Sequence, residues 1–201
     1  ETAETMRFTL PFSQIIDIDG IDDTFMVLEE QPDKKIAVID SRSAGSELVL
    51  LVKKICELIE SGADFETVVE KAELYSRHTH VVFALSSFNN LVKNGRMSKI
   101  VGFVANKLGF WGIGIGSEQG TIEIKQKIRG SKKALDAIIE DMKERGYNCG
   151  KVVISHCRNA EFAESVKSAI QSVWDKAEVK IVHARGLCSY YAEKGGLIIG
   201  F

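Results

Sequence analysis

The sequence predicts a layered α/β protein, a mixed or largely parallel sheet with flanking helices. From Lys35 onward, short β-branched runs alternate with segments whose apolar residues recur at helical spacing, and the two kinds have the lengths of ordinary strands and helices. Only two prolines, Pro11 and Pro32, interrupt the 201 residues, and neither marks a flexible linker. No internal repeat or low-complexity tract points to another architecture.

In chain order, Lys35–Asp40 (KIAVID) reads as a strand, and Leu48, Leu51, Val52, Ile55, Leu58 and Ile59 then recur on one helical face. Ser43 or Ser46 is placed to cap that helix, Gly62 to close it, and Asp64 to cap the next, which carries Phe65, Val68, Val69, Ala72 and Tyr75. His78–Leu85 (HTHVVFAL) follows as a strand. Residues 86–108 read as helix, break at Asn94–Gly95, then helix. Residues 109–128 are β-rich with a hairpin turn at Ser117–Gly120. Ser131 sits where an N-cap belongs, ahead of a face made of Ala134, Leu135, Ile138, Ile139 and Met142 that ends at Gly146. Val152–Ser155 is a strand, Ala160–Trp174 a helix, Val179–Val182 a strand, and Leu197–Phe201 a final strand. Residues 1–34, with the acidic turn Asp17–Asp23, cannot bury much surface. They read as the remnant of a lobe and not as one continuous natural segment.

Composition narrows the function. With 26 basic and 28 acidic side chains the net charge is -2, which gives no global attraction to nucleic acid or anionic membrane; such contact would need a local patch. No apolar run approaches the length of a membrane span and no signal peptide is visible, so a cytoplasmic protein is expected. Cys56, Cys149, Cys157 and Cys188 form no CxxC pair and no zinc spacing, and read as reduced thiols.

Arg96, in Asn94-Gly95-Arg96-Met97-Ser98, projects from a turn between two helices, where a guanidinium suits an anionic partner or simply water. Lys125, Lys127, Arg129, Lys132 and Lys133 bracket a helix start, and strict strand alternation places Lys125, Lys127 and Arg129 on one face. Gly112-Ile113-Gly114-Ile115-Gly116 is a poor nucleotide loop, because a strand and not a helix follows it; its glycines suit close approach by backbone or by an apolar ligand. Ser41 and His156 follow strands, where α/β sheets place ligands, yet no partner at a motif spacing makes Ser41 a nucleophile. His78, His80, His156 and His183 have no metal spacing. Ser189, Tyr190 and Tyr191 read as a polar turn whose hydroxyls bind a head group or satisfy the turn.

These stretches together resemble the DegV family. The resemblance rests on Val38-Ile39-Asp40-Ser41-Arg42-Ser43-Ala44, on Gly95-Arg96-Met97-Ser98, and on Ile128-Arg129-Gly130-Ser131-Lys132-Lys133-Ala134-Leu135. The strand ending at His156 and the stretch Cys188-Ser189-Tyr190-Tyr191-Ala192-Glu193-Lys194-Gly195-Gly196-Leu197 complete it. The shared order over about 165 residues carries weight that no one motif has alone. The resemblance implies a two-lobed fold whose N-terminal lobe is largely absent here, with residues 35–201 carrying the acyl-chain pocket. It implies a protein that binds a long-chain fatty acid, needs no other cofactor, and presents the carboxylate to a separate ATP-dependent fatty acid kinase, the binding protein not being the catalyst. Arg96 and Arg129 would serve the kinase partnership. Phe103, Leu108, Phe110, Trp111, Ile113 and Ile115 would wall the acyl tunnel or make ordinary core, and His156, Ser189 and Tyr191 would lie near the head group. The chain departs from the family where a Thr-His-Thr stretch is replaced by Tyr190-Tyr191-Ala192, and Glu1–Pro32 holds no counterpart of the Ser/Thr-rich carboxylate loops. The alternatives are a small-molecule phosphotransferase using the basic cluster, or a binding protein for a different apolar ligand.

Overall fold

The structure, a computed structural model, describes residues 35–97 and 109–201. Residues 1–34 and the second half of the helical reading over 86–108, with Ser98, Phe103 and Leu108, lie outside the described residues.

Six strands form one mixed sheet: β1 (Val81–Leu85), β2 (Phe110–Gly116), β3 (Ile122–Arg129), β4 (Lys151–His156), β5 (Glu178–His183) and β6 (Leu197–Gly200), in the spatial order β3-β2-β1-β6-β4-β5. Only β4 and β5 are parallel neighbours; every other pair is antiparallel. Their connection runs through a helix, as a parallel crossover requires. The strand β6 joins β1 to β4 and so stitches two halves together.

The helices are α1 (Ser46–Glu60), α2 (Phe65–Ser76), α3 (Asn89–Lys93), α4 (Ser131–Glu144), α5 (Ala160–Val173) and α6 (Gly186–Ala192). One face of the sheet packs on α4 and α5: Val82, Ile113, Val152, Ile154, Leu197 and Ile199 meet Ala134, Ile138, Met142, Phe162, Val166 and Ile170. Each such aliphatic side chain, nearly all removed from water, contributes roughly 1.5–3 kcal/mol. The other face carries α1 over β4 and β6, and a smaller cluster of Phe83, Leu85, Phe88, Leu91 and Ala192 beneath α3 and α6.

Several local expectations are corrected. Lys35–Asp40 is not a strand; it is an irregular segment with Val38 54% exposed. A β-branched run becomes a strand only beside a free ladder, and this one instead starts against α2, where Lys35 pairs with Glu66, and leads to Arg42, whose terminal nitrogen donates to the Glu118 carbonyl of the β2–β3 turn (2.9 Å). β1 starts at Val81, leaving His78–His80 in the preceding loop. Neither Ser43 nor Ser46 caps α1. Its N-cap is Gly45, while Ser46 is buried, donates to the Ile198 carbonyl (2.7 Å) and shares a hydrogen bond with Ser155 Oγ (2.8 Å), in which its own oxygen accepts, and Ser43 donates to the Glu47 carboxylate. Ser131 is the first residue of α4, with Gly130 at the N-cap. Asp64 does cap α2, accepting from the Thr67 N–H (2.8 Å), and Gly62 follows α1 with φ +80°.

A β-bulge decides where the basic residues of β3 point. Ile113 pairs with Gln126 but Gly114 pairs with Ile124, so Lys125 is an extra residue opposite that step. The insertion inverts the alternation. Lys125 therefore points toward α4, bonding Asp141 (2.9 Å) and Glu144 (2.8 Å), whereas Lys127 and Arg129 share the opposite face with their partners Gly112 and Phe110. The three are not on one face as strict alternation demands.

Candidate functional site at the carboxyl edge of the sheet

Strands β1, β3, β4 and β5 end at one edge, and β2 and β6 begin there. This topology gathers Phe110, Arg129, His156, Ser189 and Tyr191 at the same end of the molecule, with the Arg96 turn following α3. At about 4.8 Å per strand, Arg129 on β3 and His156 on β4 are roughly 19 Å apart, too far for one carboxylate to touch both.

His156 is the last residue of β4 and only 3% exposed. Its Nδ1 accepts the backbone N–H of Asn159 (3.1 Å), which places the proton of the neutral ring on Nε2. Burial holds its pKa below the ordinary value, and the neighbouring His183 ring, with centroids 4.5 Å apart, pushes in the same direction. Asn159 Nδ2 also donates to the Gly195 carbonyl (2.7 Å), while Cys157 and the Gly195-Gly196 pair exchange backbone bonds of 2.8 and 2.9 Å. The glycines are required here: a Cβ on Gly196 would lie 2.2 Å from the Ala192 carbonyl, and Gly195 has φ +99°.

Ser189, Tyr190 and Tyr191 form part of α6 and not a turn. Ser189 Oγ donates to the Gly186 carbonyl of its own helix (2.8 Å), and the Tyr190 hydroxyl accepts from Asn94 Nδ2 (3.0 Å). Tyr191 packs partly buried against the Phe83–Phe88 cluster. Reasoning from sequence missed Glu193, whose carboxylate accepts from Ser87 Oγ (2.6 Å) and the Asn90 N–H (2.8 Å), locking α6 to the start of α3. It also missed Asn159. Both act through tertiary partners about 36 to 106 positions away, which no local pattern announces.

The proposed tunnel residues divide between faces. Trp111, Ile113 and Ile115 point toward α4 and α5, with Trp111 against Phe162 (4.7 Å between ring centroids); Phe110 lies on the opposite face, its ring under the Arg129 guanidinium at 6.0 Å. The glycines of β2 face that second side too. A Cβ on Gly112 would lie 2.1 Å from Phe88 Cζ, and one on Gly114 2.3 Å from Phe83 Cζ, so aromatic rings of the protein itself occupy the room they leave. The run Gly112–Gly116 lies inside β2, and Ser117 closes a turn by donating to the Thr121 carbonyl (2.8 Å), so no helix N-terminus follows as a nucleotide loop needs. Arg96 is exposed, its N–H bonded to the Leu91 carbonyl (2.9 Å) as α3 ends at Gly95 with φ +69°. Among the described residues, no group of three His, Cys, Asp or Glu side chains could hold a metal, and no helix is long and apolar enough to cross a membrane.

Residues 21–201 match the family described as "Uncharacterised protein, DegV family". The chain belongs to the DegV family. It is 44% identical over 174 residues to a DegV domain-containing protein of Streptococcus pneumoniae strain R6, a match covering 87% of this chain and 62% of that one. Among solved structures, this DegV chain superposes on the Streptococcus pneumoniae Fatty Acid Kinase (Fak) B3 protein loaded with linoleic acid, with a TM-score of 0.85 and 43% identity over 89% of its own length and 63% of the other. A DegV family protein from Eubacterium eligens loaded with heptadecanoic acid gives 0.84 and 37%, covering 88% and 64%. The chain thus spans less than two-thirds of the length of these relatives.

Proposed function

We propose that this DegV chain is part of a fatty-acid-binding protein that holds a long-chain monocarboxylic acid and offers its carboxylate to a separate ATP-dependent fatty acid kinase. The observation that carries this reading is the likeness to the linoleic-acid-loaded Fak B3 protein, at 43% identity over nearly all of the chain. Catalysis then belongs to the partner: His156 bonds a backbone amide, not a hydroxyl or thiol it could activate. The fatty acid is the only cofactor-like molecule in this reading, and a cytoplasmic location follows from the ATP-using partner.

Within the chain, residues 35–201 carry the ligand region and residues 1–34 belong to the other lobe. His156, through Nε2–H, and Tyr191 serve the head group, with Ser189 positioning their helix. Phe110, with Phe103 and Leu108, contributes the apolar wall, and Trp111, Ile113 and Ile115, on the other face of the sheet, form the core behind it. Each CH₂ taken from water is worth about 0.8 kcal/mol before ordering costs, so a long chain is held mainly by its tail. Arg96 and Arg129, both exposed, face the kinase.

The test is extraction of the purified full-length protein followed by mass spectrometry. A stoichiometric long-chain monocarboxylic acid supports the reading; a nucleotide, or no lipid after incubation with oleic acid, overturns it.

A further inference from the structure

A hollow of about 220 Å³ opens at the opposite, amino edge of the sheet. It lies between the loop entering β1, with His78, Thr79 and His80, and the loop leaving α4, with Arg145 and Asn148. No Asp or Glu lines it. Dividing by the roughly 30 Å³ that a water occupies gives room for about seven waters, which suits a molecule of a few heavy atoms. It falls short of the roughly 300 Å³ at which pockets for larger ligands begin, so neither a nucleotide nor a long acyl chain fits.

Arg145 is held for use by such a molecule. Its Nε donates to Asp141 Oδ2 (3.0 Å), and the other Asp141 oxygen accepts from Lys125 (2.9 Å). Asp141 is buried, with 2% of its side chain exposed, so it fixes the guanidinium by one edge. The two terminal nitrogens of Arg145 bond no group among the described residues, and its side chain is 21% exposed. A planar fork anchored from behind and open in front is the arrangement that takes two oxygens of one anion.

The surroundings add donors. Lys151 lines the hollow while ion-paired to Glu57, and the Asn148 side chain is exposed beside it. The opposing fields are the Glu47 carboxylate, which accepts from Thr79 in the wall of the hollow and interacts with Arg145, the Asp141 and Glu57 carboxylates already engaged by Arg145 and Lys151, and the carbonyl end of α4. That end is already answered by the N–H groups of Arg145, Gly146 and Tyr147, which bond the carbonyls of Asp141, Lys143 and Met142.

We propose that this hollow is a binding site for a small oxyanion, the phosphate or carboxylate group of a compact molecule, gripped by the terminal nitrogens of Arg145. It lies at the other end of the sheet from His156 and does not depend on the fatty-acid reading.

The test follows the imidazole NMR signals of His78 and His80 in the full-length protein during titration with inorganic phosphate and, separately, succinate, against sodium chloride at matched ionic strength. Saturable shifts are expected with at least one of them, half-complete at millimolar concentration or below. Saturation by phosphate alone identifies a tetrahedral oxyanion as the ligand, and by succinate alone a carboxylate. Arg145→Gln is expected to weaken binding at least tenfold. Asn148→Asp puts a carboxylate in the exposed wall without touching the Arg145–Asp141 pair, and should weaken it equally while leaving the fold intact. Shifts that merely track chloride, or saturation that survives Asn148→Asp unchanged, overturn the proposal.

Discussion

The ring of Phe88 fills the space above Gly112: a methyl group on that glycine would meet Phe88 Cζ at 2.1 Å. Phe88 is 1% exposed and part of the apolar cluster beneath α3 and α6, so ring and glycine form one packing unit. Gly112→Ala should therefore destabilise by about 1–3 kcal/mol through overpacking, and Phe88→Ala by about 3–5 kcal/mol through the cavity it leaves. Because Phe88→Leu makes room for the methyl group, the double variant Phe88→Leu/Gly112→Ala should be more stable than the sum of the single effects. Urea unfolding of the four proteins measures this, and strict additivity would show that the contact is not the constraint.

Acidification should weaken the fold through His156. Its folded pKa lies below the ordinary 6.5, so near pH 6 the unfolded chain binds the proton more readily and stability rises with pH. The contribution is complete above about pH 6.5 and is lost as pH falls through the folded value. Protonation also turns Nδ1 from acceptor to donor against the Asn159 N–H. His80 is shifted down by burial as well and adds to the same slope. Unfolding at pH 7.5 and 5.5 should show wild type losing more stability on acidification than His156→Gln; equal losses would remove His156 from the account.

The two exposed arginines should behave alike. Arg96→Ala and Arg129→Ala are expected to change stability by no more than about 0.5 kcal/mol, although Arg129 rests on the Phe110 ring. Lipid retention should survive in both, while acyl phosphate formation with the cognate kinase falls sharply. Loss of lipid in either variant would move that arginine from the partner surface to the ligand site.

Ser46 should be costly to remove despite being a small residue at a helix start. Its hydroxyl serves the Ile198 carbonyl, Ser155 Oγ and the Ser155 N–H (3.2 Å) in a site closed to water. Ser46→Ala should cost about 1–3 kcal/mol, the range for leaving buried partners unsatisfied, and thermal unfolding reads it directly. A change below half that range would indicate that water enters the site.

The sequence exposed most of the helices and central strands, because the periodicity of residues such as Ala134, Ile138 and Met142 is imposed by a continuous apolar face. It misled where the outcome depended on tertiary neighbours. Lys35–Asp40 has strand-forming residues but no ladder to join, and the bulge at Lys125 reverses a face although β3 itself carries no glycine or proline to announce it. The site was legible as a set of positions after strands, since His156 follows an apolar run. Its wiring was not: Glu193 and Asn159 act on segments distant in sequence, and Ser189 spends its hydroxyl on its own helix.

The placement of β6 sets the timetable of folding. Among the described residues, 197–200 are the only strand that touches both β1 and β4, so until they leave the ribosome the described β3-β2-β1 and β4-β5 halves have no shared ladder. β1 must wait more than a hundred residues of synthesis for this neighbour. During that interval the inner edges of β1 and β4 are open templates for wrong partners, and sheet closure is a late, long-range event. A nascent chain arrested before Leu197 should accordingly engage holding chaperones more strongly than one released past Gly200.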